Sequence, residues 1–369
     1  MKLSGDRLFS IIVAALVIGG LAIFASASLG LLARTDGAPW RLAFTQLGLG
    51  LLPGLILLTI LRFIKPQLMT RGVIPFYLFS ILATALVFVP GVGATINGAT
   101  RWIDLGFTTI QPGEFLKIGV VLMFSAYLAN IHKQIADPTK GLLGFGLIVG
   151  IPVAILLLQP NTSTALIISG TCVLLYFLAG APWRDFAILG VTALVGLAIL
   201  VSMRPYLMNR VMTFVNPADN PLTSGYQIQQ SLIAIGSGGV TGRGFGQSVQ
   251  KFNYLPEPVG DSVFAVYGEE FGFAGTIFLV LLFAAFAARG LMIASEAPNI
   301  FGMLAATGLT LLISLSAFMN IGAMLGIMPL TGLPLPFVSH GGTALLCALA
   351  SVGVILNIAA HRTKKRVKE

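Results

Sequence analysis

The sequence predicts an all-α polytopic membrane protein, with about ten transmembrane helices and a long extracytoplasmic loop between spans 7 and 8. Three observations carry that expectation. First, 56% of the 369 residues are hydrophobic and 9% are charged, whereas a soluble domain carries roughly 25% charged residues. Second, nearly uncharged apolar runs of about 20 residues recur along the chain, the length that crosses a hydrocarbon core of about 30 Å. Third, the basic residues sit beside the ends of those runs. The net charge of +9 is therefore read as orientation in a bilayer, and nucleic acid is not among the expected partners.

The spans fall at about 9–33, 42–62, 73–90, 111–131, 142–158, 163–181, 186–203, 263–288, 300–325 and 343–361. They form a single integral membrane domain over 1–369. The first imitates a secretory leader: MKLSGDR precedes an apolar run in which Ala25-Ser26-Ala27 resembles a cleavage site. The run continues to Ala33 and many spans follow, so it is expected to stay as an uncleaved helix. Gly326 to Gly342 is broken by Pro329, Pro334 and Pro336. It reads as a re-entrant or pore-lining segment whose irregular backbone must be shielded from lipid. Placing the N-terminus inside puts most of the 22 Lys and Arg on the inner side. An even number of spans then puts both termini in the cytoplasm. The basic tail 362–369 (RTKKRVKE) serves as a stop signal beside anionic lipid. Cys172 and Cys347 each lie in an apolar run without a CxxC spacing or a His neighbour, so both are expected to be buried thiols.

The loop at about 204–262 is the largest polar segment, and it is no simple linker. It holds aromatic and aliphatic residues and the stretch GSGGVTGRGFG. That stretch matches neither a phosphate-binding loop nor a dinucleotide fingerprint. Its glycines are expected to permit tight turns near the membrane surface, and ATP use has no support.

Charged groups inside spans are costly, so each is a functional hypothesis. Glu114 and Lys117 are three residues apart and share a helix face. They either pin neighbouring helices or hold a cation near an anionic substrate, and the two readings stand level. Gln111 and Pro112 would shape that helix start.

The stretch LPEPVGDSVFAVYGEE, 255–270, gathers Glu257, Asp261, Glu269 and Glu270 from a chain with 13 acids. Glu269 and Glu270 point about 100° apart on a helix. Structural pairing is favoured for them, with a neighbour such as Arg101 or a loop amide. Asp261 precedes the span after a Pro-bounded turn and could act as a general base. Pattern alone favours a helix N-cap instead. Arg101, Arg210, Arg243 and Lys251 could gather at the same outer surface, which would suit a phosphate or pyrophosphate. For any single one, a solvated loop charge is the plainer reading. His340 has no second His or Cys nearby in sequence, so metal binding there is weakly supported; its segment could line a cavity at a broken helix.

Several motifs occur in a telling order: GATRWIDLG at 98–106, IQPGEFLK at 110–117, QPNTSTAL at 159–166, YQIQQSLIAIGSGGVTGRGFGQSVQKFNYLPE at 226–257, GDSVFAVYGEEFGF at 260–273 and LPLPFVSHGGTALL at 333–346. In this order the chain resembles the SEDS proteins (shape, elongation, division and sporulation), polytopic peptidoglycan glycosyltransferases that include RodA and FtsW. QSVQKFNYLPE is more similar to the FtsW branch. The resemblance covers nearly the whole chain, and its specificity lies in the joint order of short motifs.

The resemblance implies polymerisation of lipid II into glycan strands at the outer face of the bacterial cytoplasmic membrane, for division or elongation. It maps the family's catalytic Asp onto Asp261, which would deprotonate the acceptor sugar's 4-hydroxyl. It implies inversion at the donor and no covalent enzyme intermediate. The departing pyrophosphate would be stabilised by cationic side chains, with Arg101, Lys117, Arg243 and Lys251 as candidates beside Glu114, or by a divalent ion (Mg or Mn). No metal-binding residues are assigned. The implied partners are the nascent glycan strand, a class B penicillin-binding protein and other divisome or elongasome membrane proteins.

Three departures stand out. The family commonly has His-Thr-Asp where this chain has Val259-Gly260-Asp261, Gln-Pro-Asp where it has Gln159-Pro160-Asn161, and Ser-Tyr-Gly-Gly where it has Ser339-His340-Gly341-Gly342. Two other classes remain open: a transporter or flippase of lipid-linked precursors, and a non-catalytic scaffold for a transpeptidase. The absence of a clear repeat between the halves, and acids at the outer edge rather than the midplane, favour surface chemistry over transport.

Overall fold

A computed structural model describes residues 6–34, 39–96, 98–106, 108–215 and 224–362. Helices dominate it: α1 (Arg7–Arg34), α2 (Arg41–Phe63), α3 (Pro66–Phe88), α4 (Pro112–Gln134), α5 (Gly141–Leu158), α6 (Thr162–Leu178), α7 (Trp183–Met203), α8 (Pro205–Val215), α9 (Ser224–Ser237), α10 (Gln250–Asn253), α11 (Val263–Ser295), α12 (Ile300–Met324) and α13 (Gly342–Ala360). Among the described residues, nine helices are long and apolar enough to span a membrane. The 17-residue α6 is the tenth expected span. This is a multi-pass helical membrane protein.

Two spans are longer than the hydropathy pattern suggests. α3 begins at Pro66, so Arg71 lies on the helix, and α11 runs to Ser295, so Arg289 does too. A basic residue near a span end is tolerated because its long stem reaches the interface. Between α3 and α4 lies a small antiparallel sheet that the sequence reading did not contain: β1 (Gly93–Ile96), β2 (Ala99–Asp104) and β3 (Thr109–Ile110), in the order β1-β2-β3. Strands of two to six residues carry too little alternation to be read from sequence.

α12, α13 and α4 are the most enclosed spans, whereas none of the apolar window of α7 is buried within the protein. The cytoplasmic expectation for the tail beyond Arg362 falls outside the described residues. The ends of the bundle nevertheless meet. Asp6, 2% exposed, accepts from the Phe9 amide at 3.0 Å and so caps α1. It also pairs with Arg289 at the end of α11 and, at 3.2 Å, with Arg362 beyond α13. The start of α1 and the end of α13 therefore lie on the same side.

α11 is broken. Gly272 has φ 66° and ψ −164°, a conformation that only glycine adopts readily. Such a break frees main-chain groups that must be paired at membrane depth. The glycine-rich loop pairs them. The amides of Phe273 and Ala274 donate to the carbonyls of Gly239 and Val240 at 2.9 and 3.0 Å, while Arg243 and Gly244 amides donate to the Glu269 and Glu270 carbonyls at 3.0 Å. The approach is so close that a Cβ on Gly242 would lie 2.1 Å from the Glu270 carbonyl oxygen. The expected tight-turn role of these glycines thus becomes a specific one: loop backbone completes the hydrogen bonding of a kinked helix.

Gly326 to Gly341 has no regular helix, as expected from its prolines, and it is wrapped by protein. Asn320 on α12 donates to the Leu333 carbonyl at 2.7 Å, and Ser163 on α6 donates to that of Thr331. Gln46 on α2 donates to the Ser339 carbonyl at 3.3 Å and accepts from the Gly341 amide at 3.0 Å. The His340 amide reaches the Val259 carbonyl at 2.7 Å. This segment is the floor on which the outer loop rests.

Candidate active site

Asp261 stands where the outer loop turns into α11. The helix begins after Ser262, whose side chain makes no capping bond, and the Asp261 carboxylate does not cap it either. The N-cap role that pattern alone favours is thereby overturned. Instead, Gln227 on α9 donates from Nε2 to Asp261 Oδ1 at 3.1 Å and to Ser262 Oγ at 2.9 Å. The Asp261 carbonyl accepts from Asn320 Nδ2 at 2.8 Å. Gly332 of the re-entrant segment faces both Asp261 and Arg210: a Cβ placed there would lie 3.8 Å from Asp261 Oδ2 and 3.9 Å from an Arg210 Nη. One carboxylate oxygen is therefore held by an amide, and the other looks onto a glycine and a guanidinium.

Burial pushes the Asp261 carboxyl up to about 6, the Gln227 hydrogen bond opposing it; nearby Glu257 raises it further and Arg210 lowers it. A carboxylate tuned to that range is suited to accept a proton near neutral pH.

The four basic residues expected at the outer surface divide into two pairs. Arg101, on β2, donates to the Pro160 carbonyl and keeps a buried Nε without a partner among the described residues. Burial and the neighbouring Arg210 lower its pKa. The two guanidiniums are close enough to repel, and neither takes part in a described salt bridge.

Arg243 and Lys251 lie elsewhere. Arg243 pairs with Glu269 at 3.3 Å. Lys251 is 0% exposed and donates to Glu270 at 2.7 Å, to Ser26 at 2.9 Å and to the Gly246 carbonyl at 2.9 Å. The placement of Lys251 beside pyrophosphate is corrected: a lysine wholly enclosed against a carboxylate holds the loop to α1 and α11. The pairing expected for the two glutamates is present, with these partners rather than Arg101. Glu269 also accepts from Ser248 Oγ at 2.6 Å and from the Val249 and Gln250 amides at 3.1 and 3.2 Å, and so anchors the start of α10.

Glu114 and Lys117 form the expected pair, 2.9 Å apart and nearly buried. They line a small cleft with Leu333, Pro334, Ser316 and Ser351. Leu333 borders this cleft and its neighbour Gly332 approaches Asp261, so one segment touches both charged centres. Cys347 also borders the cleft; both cysteines are free and buried.

Of the departures, Asn161 lies beside the Arg101 anchor with its Nδ2 unpartnered among the described residues. His340 stacks on Phe24 of α1, ring centroids 5.7 Å apart. Two site residues were not singled out from sequence. Gln227 stands in the motif YQIQQS, and Asn320 is a lone amide in an apolar span, which is itself a signal.

Comparison with known proteins matches this architecture. A family model described as Cell cycle protein (FtsW/RodA/SpoVE) covers residues 6–364. Stage V sporulation protein E of Bacillus subtilis (strain 168) is 41% identical over 276 residues, 75% of each chain. A probable peptidoglycan glycosyltransferase FtsW of Coxiella burnetii (strain RSA 493 / Nine Mile phase I) is 40% identical over 286 residues, 77% of each chain. Among solved structures, a chain from a peptidoglycan synthase complex that coordinates polymerization and crosslinking superposes with a TM-score of 0.80 at 30% identity, covering 98% of this chain and 99% of that one. The chain belongs to the FtsW/RodA/SpoVE family.

Proposed function

We propose that this protein is a peptidoglycan glycosyltransferase that polymerises lipid II at the outer face of the bacterial cytoplasmic membrane, in cell division or elongation. The observation that carries the reading is the Asp261 carboxylate, poised near pH 6 and facing Arg210 across Gly332. Asp261 takes the proton of the acceptor sugar's 4-hydroxyl. That oxygen attacks the anomeric carbon of the donor, the bond to undecaprenyl pyrophosphate breaks, and the α-linked donor becomes a β-1,4 linkage by inversion. Arg210 and Arg101 stabilise the charge that develops on the leaving pyrophosphate.

Glu114 and Lys117 serve substrate binding from the cleft side. Among the described residues no three His, Cys, Asp or Glu come together to hold a metal, and no step here is routed through a divalent cation. Both termini lie in the cytoplasm, as the distribution of Lys and Arg favours. The likeness to a chain of a synthase complex supports assembly with a class B penicillin-binding protein.

The test supplies purified protein, with its transpeptidase partner if needed, with labelled lipid II. Asp261→Asn is expected to abolish glycan polymer. Asp137→Asn retains it, because Asp137 is an exposed loop residue bonded to Thr139. Full polymerisation by Asp261→Asn sinks the assignment; transbilayer movement of lipid II without polymer favours a flippase.

A further inference from the structure

Asp261 is held by two amides that do different things. Asn320 touches only its main chain, at 2.8 Å, and joins that carbonyl to Leu333 of the re-entrant segment. Gln227 touches the carboxylate itself. The direction of that bond follows from chemistry. An ionised carboxylate only accepts, so the amide must turn its N–H₂ toward Oδ1; its second N–H then reaches Ser262 Oγ, which is fully buried.

Around the carboxylate, the outer loop contributes Glu257 and α8 contributes Arg210, the two charged groups that act on it. α12 contributes neutral Asn320, and the re-entrant segment contributes the main chain at Gly332. Gln227 is thus the neutral donor that the fold aims at Oδ1.

We infer that Gln227 is a positioning residue for the transfer reaction: it fixes Oδ1 of Asp261 toward α9, favours the ionised carboxylate, and leaves Oδ2, on the Arg210 and Gly332 side, to receive the acceptor proton. The inference rests on the proposed role of Asp261. A donor to the charged form of an acid stabilises that form. Removing it raises the pH at which Asp261 ionises, without removing any contact to substrate. The consequence is a lower kcat near neutral pH at unchanged KM, together with an acid limb displaced to higher pH.

The test uses the full chain in detergent or nanodiscs and reads ionisation separately from turnover. Dicyclohexylcarbodiimide modifies protonated carboxyls, so the pH at which half of the Asp261 peptide is labelled reports its protonation by mass spectrometry. Asp261→Asn confirms the labelled position by losing the adduct. Gln227→Met removes the donor at similar length, and Gln227→Glu replaces it with an isosteric acid. The labelling midpoint is expected to rise from the natural protein to Gln227→Met by about one pH unit, the size of a lost hydrogen bond to a charged group, and further in Gln227→Glu. The acid limb of polymerisation moves in the same order. Asn320→Leu, which breaks only main-chain contacts, lowers thermal stability and leaves the midpoint in place. Coincident midpoints in the natural protein and both Gln227 variants overturn the inference. If Gln227→Met fails to fold, Gln227→Glu carries the test alone. Polymerisation retained by Asp261→Asn, with shifted midpoints in the Gln227 variants, would instead reject Asp261 as the base.

Discussion

Asp261 and the pair Glu269–Glu270 lie within ten residues of one another in a single acidic stretch, and the fold treats them in opposite ways. Glu269 and Glu270 are 0% and 2% exposed. Every bond drawn to them comes from a cation, a hydroxyl or an amide. Asp261 is partly buried, its carboxylate accepts from the side chain of Gln227 and no cation pairs with it, and burial raises its proton affinity. Saturated carboxylates hold structure, because a charge with all its lone pairs engaged has nothing left for a substrate. An under-coordinated one is available for proton transfer. The number and kind of partners, together with the partial exposure of Asp261, separate the two.

The largest effect is expected from Asp261→Asn. It should lower polymerisation by about 10²–10⁴-fold, the usual contribution of a general base, with thermal stability unchanged or raised because a desolvated charge is gone. Next, Glu270→Gln strands buried Lys251 and should cost about 3–5 kcal/mol of stability. Polymer yield per folded molecule should survive. Combining it with Lys251→Met should recover much of the loss, since replacing both buried partners is far milder than removing one; a double variant as unstable as the single one would contradict the pairing.

Gly242→Ala follows. Its positive φ of 82° alone costs about 1–2 kcal/mol, and the contact with the Glu270 carbonyl adds to it, so a melting curve indistinguishable from the natural protein's would remove the loop from the account of the kink. The smallest effect is expected from Asp6→Asn, about 1–2 kcal/mol by loss of charged hydrogen bonds to half-buried arginines.

Two of these acids should also separate by pH. Arg289 and Arg362, with the Phe9 amide, hold the Asp6 carboxyl below its ordinary 3.8 against the effect of burial. Its contribution to stability is present at neutral pH and is lost as pH falls below about 4 through the folded value. Asp261 has the reverse sign. Its folded value, about 6, lies above the ordinary 3.8. Ionising it removes stability as pH rises from about 4 to 6, whereas polymerisation should rise between about pH 5 and 7, as the carboxyl passes through its folded value. Activity with no acid limb between about pH 5 and 7 would separate turnover from this carboxylate.

The spans were legible because hydropathy over about 20 residues is set by the bilayer, not by tertiary contacts. The pairing of Glu114 with Lys117 was legible because helical geometry fixes neighbours three apart. The fate of Lys251 was not: whether a lysine in a polar loop meets solvent or Glu270 depends on a kink at Gly272, and an apolar run containing a glycine looks like an unbroken helix. The sheet around Arg101 is too short to show a period. The roles of Gln227, within a motif, and Asn320, a lone amide in an apolar span, emerge only when α9, α12 and the re-entrant segment converge on Asp261.

The most direct test compares Asp261→Asn with Glu270→Gln in one preparation, measuring glycan polymer from labelled lipid II per folded molecule beside a thermal melt. The account predicts that Asp261→Asn melts no lower than the natural protein and makes no polymer, whereas Glu270→Gln melts lower and still polymerises below its transition. Polymerisation at the natural rate by Asp261→Asn would contradict it.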